Sequence, residues 1–474
     1  MIAILHNVTH AAAIIALCLL CANITNAAPI FDENQINIEV LNPNLAGTHR
    51  AILRTPPQNE KSHIGIFVMH AFGGSADNRV CGGLAVRGYT MLCADTEFMG
   101  REGSYQGYEE HALAITAGVA HLRNAPGITT VLLYGRSMGA PMMSFYANVQ
   151  ENGVSACQDQ RRIIGCETEN LIDANGDNKL PAIDGLILGD AHLGDALATF
   201  TYMDPAITDV ATPHRRERSV DMYAAENGYP GDDQVVGPHF SDAEYSQVFL
   251  ERFLDAQADR NARVLDHASQ LLERVKAGDA DLYPDGTLMV VPGAENAARI
   301  LQADLDLLRC TKRPHIFLTH DGRHDVSDGP ICSVRVPSAR LSRADSAASI
   351  VHVPLRAWLG ARALRTDGPY RQTENDLAGI DYESSNTSTV ANVRGITKPL
   401  LLVANSGHYF IVPNEIVFDN AASEDKTFAI TEGSVHAGTP CTGCAEALGL
   451  PSDHYGDTLG HAFDFIDGWI AARF

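Results

Sequence analysis

Apolar residues along this chain fall into short unbroken runs, set between stretches in which they recur at helical spacing. The runs lie at 51–53, 64–69, 90–94, 131–134, 185–188, 399–404 and 426–431. Continuous rather than alternating hydrophobicity marks strands covered on both faces. Helical spacing fills 84–88, 108–124 and 140–150. Strand and helix in alternation predict an α/β fold: a mostly parallel sheet joined by crossover helices.

The pattern breaks between 194 and 395. Phe249, Leu250, Phe253, Leu254, Val264, Leu265, Leu271 and Leu272 place one apolar stripe along 249–275, a long amphipathic helix. Strands are expected at 288–291 and 315–318, and a further helical stretch at 347–364. The run His320-Asp321-Gly322-Arg323-His324-Asp325 is rich in metal-ligating side chains. It reads as a hairpin turn between the strand ending at Leu318 and one starting near Ser333. The expected organisation is therefore a core from 29–193 and 396–474 with a large, mainly helical cap insertion at 194–395.

Composition adds a compartment. Residues 1–28 contain no Lys, Arg, Asp or Glu, are apolar from 11 to 22, and close on Asn26-Ala27-Ala28. This is the form of a secretory signal peptide and is too short for a stable membrane anchor, so a secreted or periplasmic protein is expected. Of ten cysteines, Cys18 and Cys21 fall in that segment, leaving an even set of eight. Pairing of sequence neighbours would give four bridges, with other connectivities open. The formal net charge of −23 gives a surface that repels nucleic acid and anionic membranes, so neither is an expected partner. Oligomeric state is not encoded in any feature of the sequence.

The chemistry centres on Gly135-Arg136-Ser137-Met138-Gly139. A G-x-S-x-G pentapeptide between a buried strand and a helix holds its serine at a sharp turn. With it, several stretches resemble the α/β-hydrolase family. His70-Ala71-Phe72-Gly73-Gly74 is similar to the oxyanion loop, with Ala71 in place of its first glycine. Leu84-Ala85, Gly88-Tyr89 and Asp95 follow the next helix and strand, and Gly433-Ser434-Val435-His436 resembles the histidine loop after the last core strand.

The resemblance implies that Ser137 is a nucleophile, that His436 is its general base, and that the N–H groups of Met138 and Phe72 form the oxyanion hole. The family's usual acid position, four residues before Pro413, holds Tyr409. Asp190, at the end of the 185–189 strand, is the expected acid, with Glu415 and Asp419 as alternatives. The implied activity is hydrolysis of small-molecule or polymeric carboxylic esters through an acyl-enzyme, with no organic cofactor. A peptidase or amidase, or a binding protein retaining the fold, are the rival readings.

Two motifs stand apart. Asp173, Asn175, Asp177, Lys179 (through its carbonyl) and Asp184 have the spacing of an EF-hand-like calcium loop, with Asn178 where glycine is usual and Pro181 inside it. Structural Ca2+ is the expectation there. Asn386-Thr387-Ser388 is a glycosylation sequon.

Overall fold

The computed structural model describes residues 29–41, 45–101, 104–230, 243–295, 297–337, 346 and 348–474. The signal peptide expected at 1–28 lies outside them. Among the described residues no helix is long and apolar enough to cross a membrane.

Each apolar run forms a strand. With the exposed strand β1 (Asn37–Val40), the sheet begins with β2 (Thr48–Thr55), β3 (Ile64–His70), β4 (Thr90–Thr96), β5 (Thr130–Arg136) and β6 (Gly185–Gly189). After β7 (Leu288–Pro292), which lies outside this sheet, come β8 (Ile316–Leu318) and β9 (His324–Val326), and, after three further strands outside it, β13 (Leu400–Asn405) and β14 (Lys426–Thr431). One ten-stranded sheet orders them β1-β2-β4-β3-β5-β6-β13-β14-β8-β9. From β4 to β8 neighbouring strands run parallel; β1, β2 and β9 are antiparallel to their neighbours. This is the mostly parallel sheet with crossover helices, the α/β architecture, that the sequence predicts.

Alternate residues of each central strand enter opposite layers. Ile66, Val68, Leu132, Ile187 and Leu401 pack against helices Arg79–Ala85 and Thr458–Ala471 through Leu84, Phe465 and Trp469. Phe67, Met69, Leu133, Leu188 and Leu402 face helices Tyr108–Asn124, Gly139–Asn152 and Ile411–Asn420 through Ile115, Phe145 and Ile411. Burial on both faces is why these strands read as unbroken apolar runs.

The insertion departs from expectation in three ways. Part of it belongs to the core, because β8 pairs with β14 and extends the central sheet. The hairpin partner of β8 is β9, which begins at His324, so the turn is far tighter than one reaching Ser333. And 347–364 is not one helix. Ile350–Pro354 is β10, paired antiparallel with β7 (Leu288–Pro292), followed by one short turn at Leu355–Ala357 and a π-turn at Trp358–Arg362. Val351 and Val353 are buried while Ile350 and His352 are exposed, a period of two that favours a strand.

The amphipathic helix extends from Gln247 to Lys276, capped by the Ser246 hydroxyl accepting from Phe249 N–H. Its Gln257 donates to the Thr201 and Met203 carbonyls and its Asn261 to Leu364 O, fixing it to the segments on either side of the site. A hairpin of β11 (Arg365–Gln372) and β12 (Leu377–Asp381) completes the insertion.

Four cysteine pairs, Cys81–Cys93, Cys157–Cys166, Cys310–Cys332 and Cys441–Cys444, stand at disulfide distance with Cα separations of 6.4, 5.5, 4.0 and 5.2 Å. These are the sequence-neighbour pairs.

Candidate active site

Strand register brings the site together. Arg136 at the end of β5 lies opposite Gly189 at the end of β6, so Ser137 and Asp190 emerge side by side at the carboxyl edge of the sheet. Gly189 in turn lies opposite Val403 of β13, and Asn405 lies opposite Thr431 of β14. The loops carrying His408 and His436 therefore leave from the same edge, where open α/β sheets bind ligands.

The turn after β5 is sterically specified. Ser137 has φ 53°, a left-handed conformation uncommon for a residue with a Cβ. A Cβ on Gly135 would stand 2.4 Å from Gly139 O, and one on Gly139 would stand 2.6 Å from Met69 O. The Ser137 backbone is tied by its N–H to Gly189 O at 3.0 Å and by its carbonyl to Ala140 N–H at 3.0 Å and His192 N–H at 3.2 Å.

A chain of hydrogen bonds crosses the edge. Ser137 Oγ donates to His436 Nε2 at 2.8 Å, and His436 Nδ1–H donates to Asp190 Oδ2 at 2.5 Å. Asp190 is buried with φ 41°, and its second oxygen accepts Asn405 N–H at 3.2 Å. Burial alone would raise the Asp190 carboxyl. The imidazoles of His408 and His436 outweigh it and hold the group below the usual carboxylate range.

His408 is a member of the site that the sequence analysis does not single out. Its Nδ1 stands 2.9 Å from the Asp190 oxygen that His436 uses, though out of line for a directed hydrogen bond. Its ring lies 4.4 Å from that of His436, and burial lowers it to about 4. The available signal was its place just after β13, in the loop where the family usually carries its acid. Asn414, equally unsignalled, fixes the backbone beside Asp190. Its side chain accepts Ala191 N–H and donates to Ala191 O, both at 3.1 Å.

The alternative acids are engaged elsewhere. Glu415 accepts from His315 Nε2 and Lys312 N–H, both at 2.7 Å, and Asp419 pairs with Arg313. The two expected oxyanion donors differ. Met138 N–H, at the start of helix Gly139–Asn152, has no hydrogen-bond acceptor among the described residues. Phe72 N–H instead donates to His70 Nδ1 at 3.0 Å. Burial lowers the His70 imidazole to about 3, so that nitrogen stays free to accept and competes for the N–H.

Phe72, Ser137, Met138 and His436 open on one cavity of about 260 Å3. Tyr202, Tyr409 and Phe410 supply aromatic walls, and Arg299, Arg362 and Glu295 supply charge. Segment 194–395 thus contributes much of the lining.

The residues of the expected calcium loop make protein hydrogen bonds. The Asp173 carboxylate accepts the N–H groups of Asn175 at 2.8 Å and Asp177 at 3.0 Å, closing the turn on itself. Lys179 Nζ reaches Glu169 O at 2.7 Å. Asp184 is turned away, bound to Arg123 at 2.5 Å and Val131 N–H at 2.8 Å. Asn386 of the sequon is buried and donates to Cys157 O at 3.0 Å, which leaves no room for a glycan.

No family model and no curated protein matches this chain. Solved structures similar to it include Est1E from Butyrivibrio proteoclasticus, at 11% identity over 94% of this chain and 99% of that one, TM-score 0.35. Brefeldin A esterase, titled a bacterial homologue of human hormone-sensitive lipase, aligns at 12% identity over 93% and 78%, TM-score 0.38. Esterase B from Lactobacillus rhamnosis aligns at 10% over 98% and 94%, TM-score 0.35. Similarity this low assigns no activity, and the functional reading rests on the site's own geometry.

Proposed function

We propose that this protein is an exported serine hydrolase that cleaves carboxylic esters through an acyl-enzyme. The observation that carries the reading is the continuous relay Ser137–His436–Asp190, at 2.8 and 2.5 Å, on a left-handed serine turn.

A serine hydroxyl is a weak nucleophile until a base takes its proton. His436 Nε2 is in hydrogen-bond reach of Ser137 Oγ for that transfer. Asp190, kept ionised, holds Nδ1 protonated so that Nε2 is the free nitrogen, and it stabilises the imidazolium as it forms. Attack on the ester carbonyl gives a tetrahedral oxyanion beside Met138 N–H, an unengaged donor. Phe72 N–H becomes the second donor once it leaves His70. Such donors contribute about 3 kcal/mol each to the transition state. His436 then protonates the departing alcohol, and water hydrolyses the acyl group by the same route. The paired cysteines support export, since such bonds persist in oxidising compartments.

The cavity of about 260 Å3 is just below the range of roughly 300–1,000 Å3 common for small-molecule sites, which favours short acyl groups. A p-nitrophenyl ester series from acetate to palmitate tests this, run on wild type and Ser137→Ala together. Turnover concentrated at the short esters and absent in Ser137→Ala is the expected result. No turnover of any ester by wild type would overturn the esterase reading.

A further inference from the structure

A second cluster of ligating side chains lies away from Ser137, where three separate segments meet at the sheet edge. His320 sits in the turn between β8 and β9, Glu432 directly follows β14, and His454 precedes the C-terminal helix. One ring nitrogen from each histidine and one Glu432 oxygen lie within 4.8 Å of one another, all half-buried. We propose that His320, Glu432 and His454 form a binding site for a divalent transition-metal ion of the zinc class.

The ligands are held on fixed backbone. Glu432 N–H donates to Leu318 O at 2.9 Å, and His454 N–H donates to Pro451 O at 3.0 Å. The Glu432 carboxylate accepts His320 N–H at 2.7 Å and His320 Nδ1–H at 2.8 Å. The two imidazoles lie tilted against one another, their centres 4.3 Å apart with 32° between their planes. Among the described residues no arginine or lysine lies within ion-pair distance of Glu432; nearby Arg323 is paired with Asp321 at 2.9 Å. Among the described residues His320 is the ionic partner of the carboxylate, and two imidazoles with one carboxylate are the borderline donor set that suits Zn2+. Calcium, which takes six to eight oxygens, does not fit it. Three protein ligands leave the fourth tetrahedral position to water.

A metal here would tie the β8–β9 hairpin and the C-terminal lead-in to the segment that continues, four residues on, into His436. The proposal is independent of the hydrolase reading, because it rests on a separate set of side chains.

Zn2+ and Ca2+ are titrated calorimetrically into the intact secreted protein, with a chromophoric chelator as competitor and thermal unfolding as a second readout. The expected result is one Zn2+ per chain, no Ca2+ isotherm, and a higher Tm with Zn2+. Affinity should fall at least tenfold in His454→Ala and in His320→Ala, and persist in His436→Ala. Absence of stoichiometric Zn2+ binding overturns the proposal. So does binding that survives both His454→Ala and His320→Ala, or binding lost in His436→Ala and kept in His454→Ala, which would move the ion to the Asp190 cluster.

Discussion

Asp190 and His436 stand 246 residues apart in sequence and meet at 2.5 Å. The contact exists because β6 and β14 flank the same strand, β13, and release their following loops on the same edge. If Asp190 fixes the His436 tautomer, Asp190→Asn leaves the fold intact and lowers kcat by roughly 10^4-fold, the scale of the same change in the chymotrypsin-type triad. Steady-state kinetics beside an unchanged thermal midpoint checks this. A loss below tenfold would mean that another group orients His436.

His408 stands 2.9 Å from the Asp190 oxygen that His436 uses, and a role through that carboxylate makes a specific prediction. His408→Asn should lower kcat with KM nearly unchanged, and shift the acid limb of the pH–rate profile as Asp190 loses a neighbour. A KM effect alone would instead place His408 in substrate binding.

The glycines of the serine turn are specified by backbone atoms, which cannot move aside. Gly135→Ala and Gly139→Ala should each destabilise the protein by more than about 2 kcal/mol, read as a lower denaturant midpoint. Gly82, in helix Arg79–Ala85, is the control. A Cβ there meets nothing within 4 Å, so Gly82→Ala should be neutral or slightly stabilising.

Burial holds four imidazoles neutral: His70, His111 and His192 at about 3 and His408 at about 4. In the unfolded chain each takes up a proton near pH 6.5. Between that pH and the folded values the unfolded state binds more protons, so stability rises with pH across the window and is lost as pH falls. Thermal unfolding should show Tm dropping steadily from pH 6.5 to about 4. His111→Gln, at a site between Phe98, Tyr105 and Tyr108, should flatten part of that slope. A Tm unchanged between pH 7 and 4.5 would contradict it.

How much of this is visible in the sequence follows from how local each signal is. The buried strands announce themselves as apolar runs, and helix Tyr108–Asn124 has the bounds its periodicity predicts. Ser137 is legible because two glycines, a strand and a helix surround it in one stretch. His408 is not, since its role arises from strand order: β13 lies between β6 and β14, and only that adjacency brings its loop to Asp190. The strand at Ile350–Pro354 is hidden because five residues carry too few periods to separate a strand from a helix.

The central claim is that Ser137 is a nucleophile activated by His436. The direct test is labelling with a fluorophosphonate probe, with the modified peptide mapped by mass spectrometry in wild type, Ser137→Ala and His436→Ala. A single phosphonylated residue, Ser137, with labelling abolished in Ser137→Ala and strongly slowed in His436→Ala, is the predicted result. A folded wild-type protein that takes up no label, or takes it up at another residue, would contradict the account.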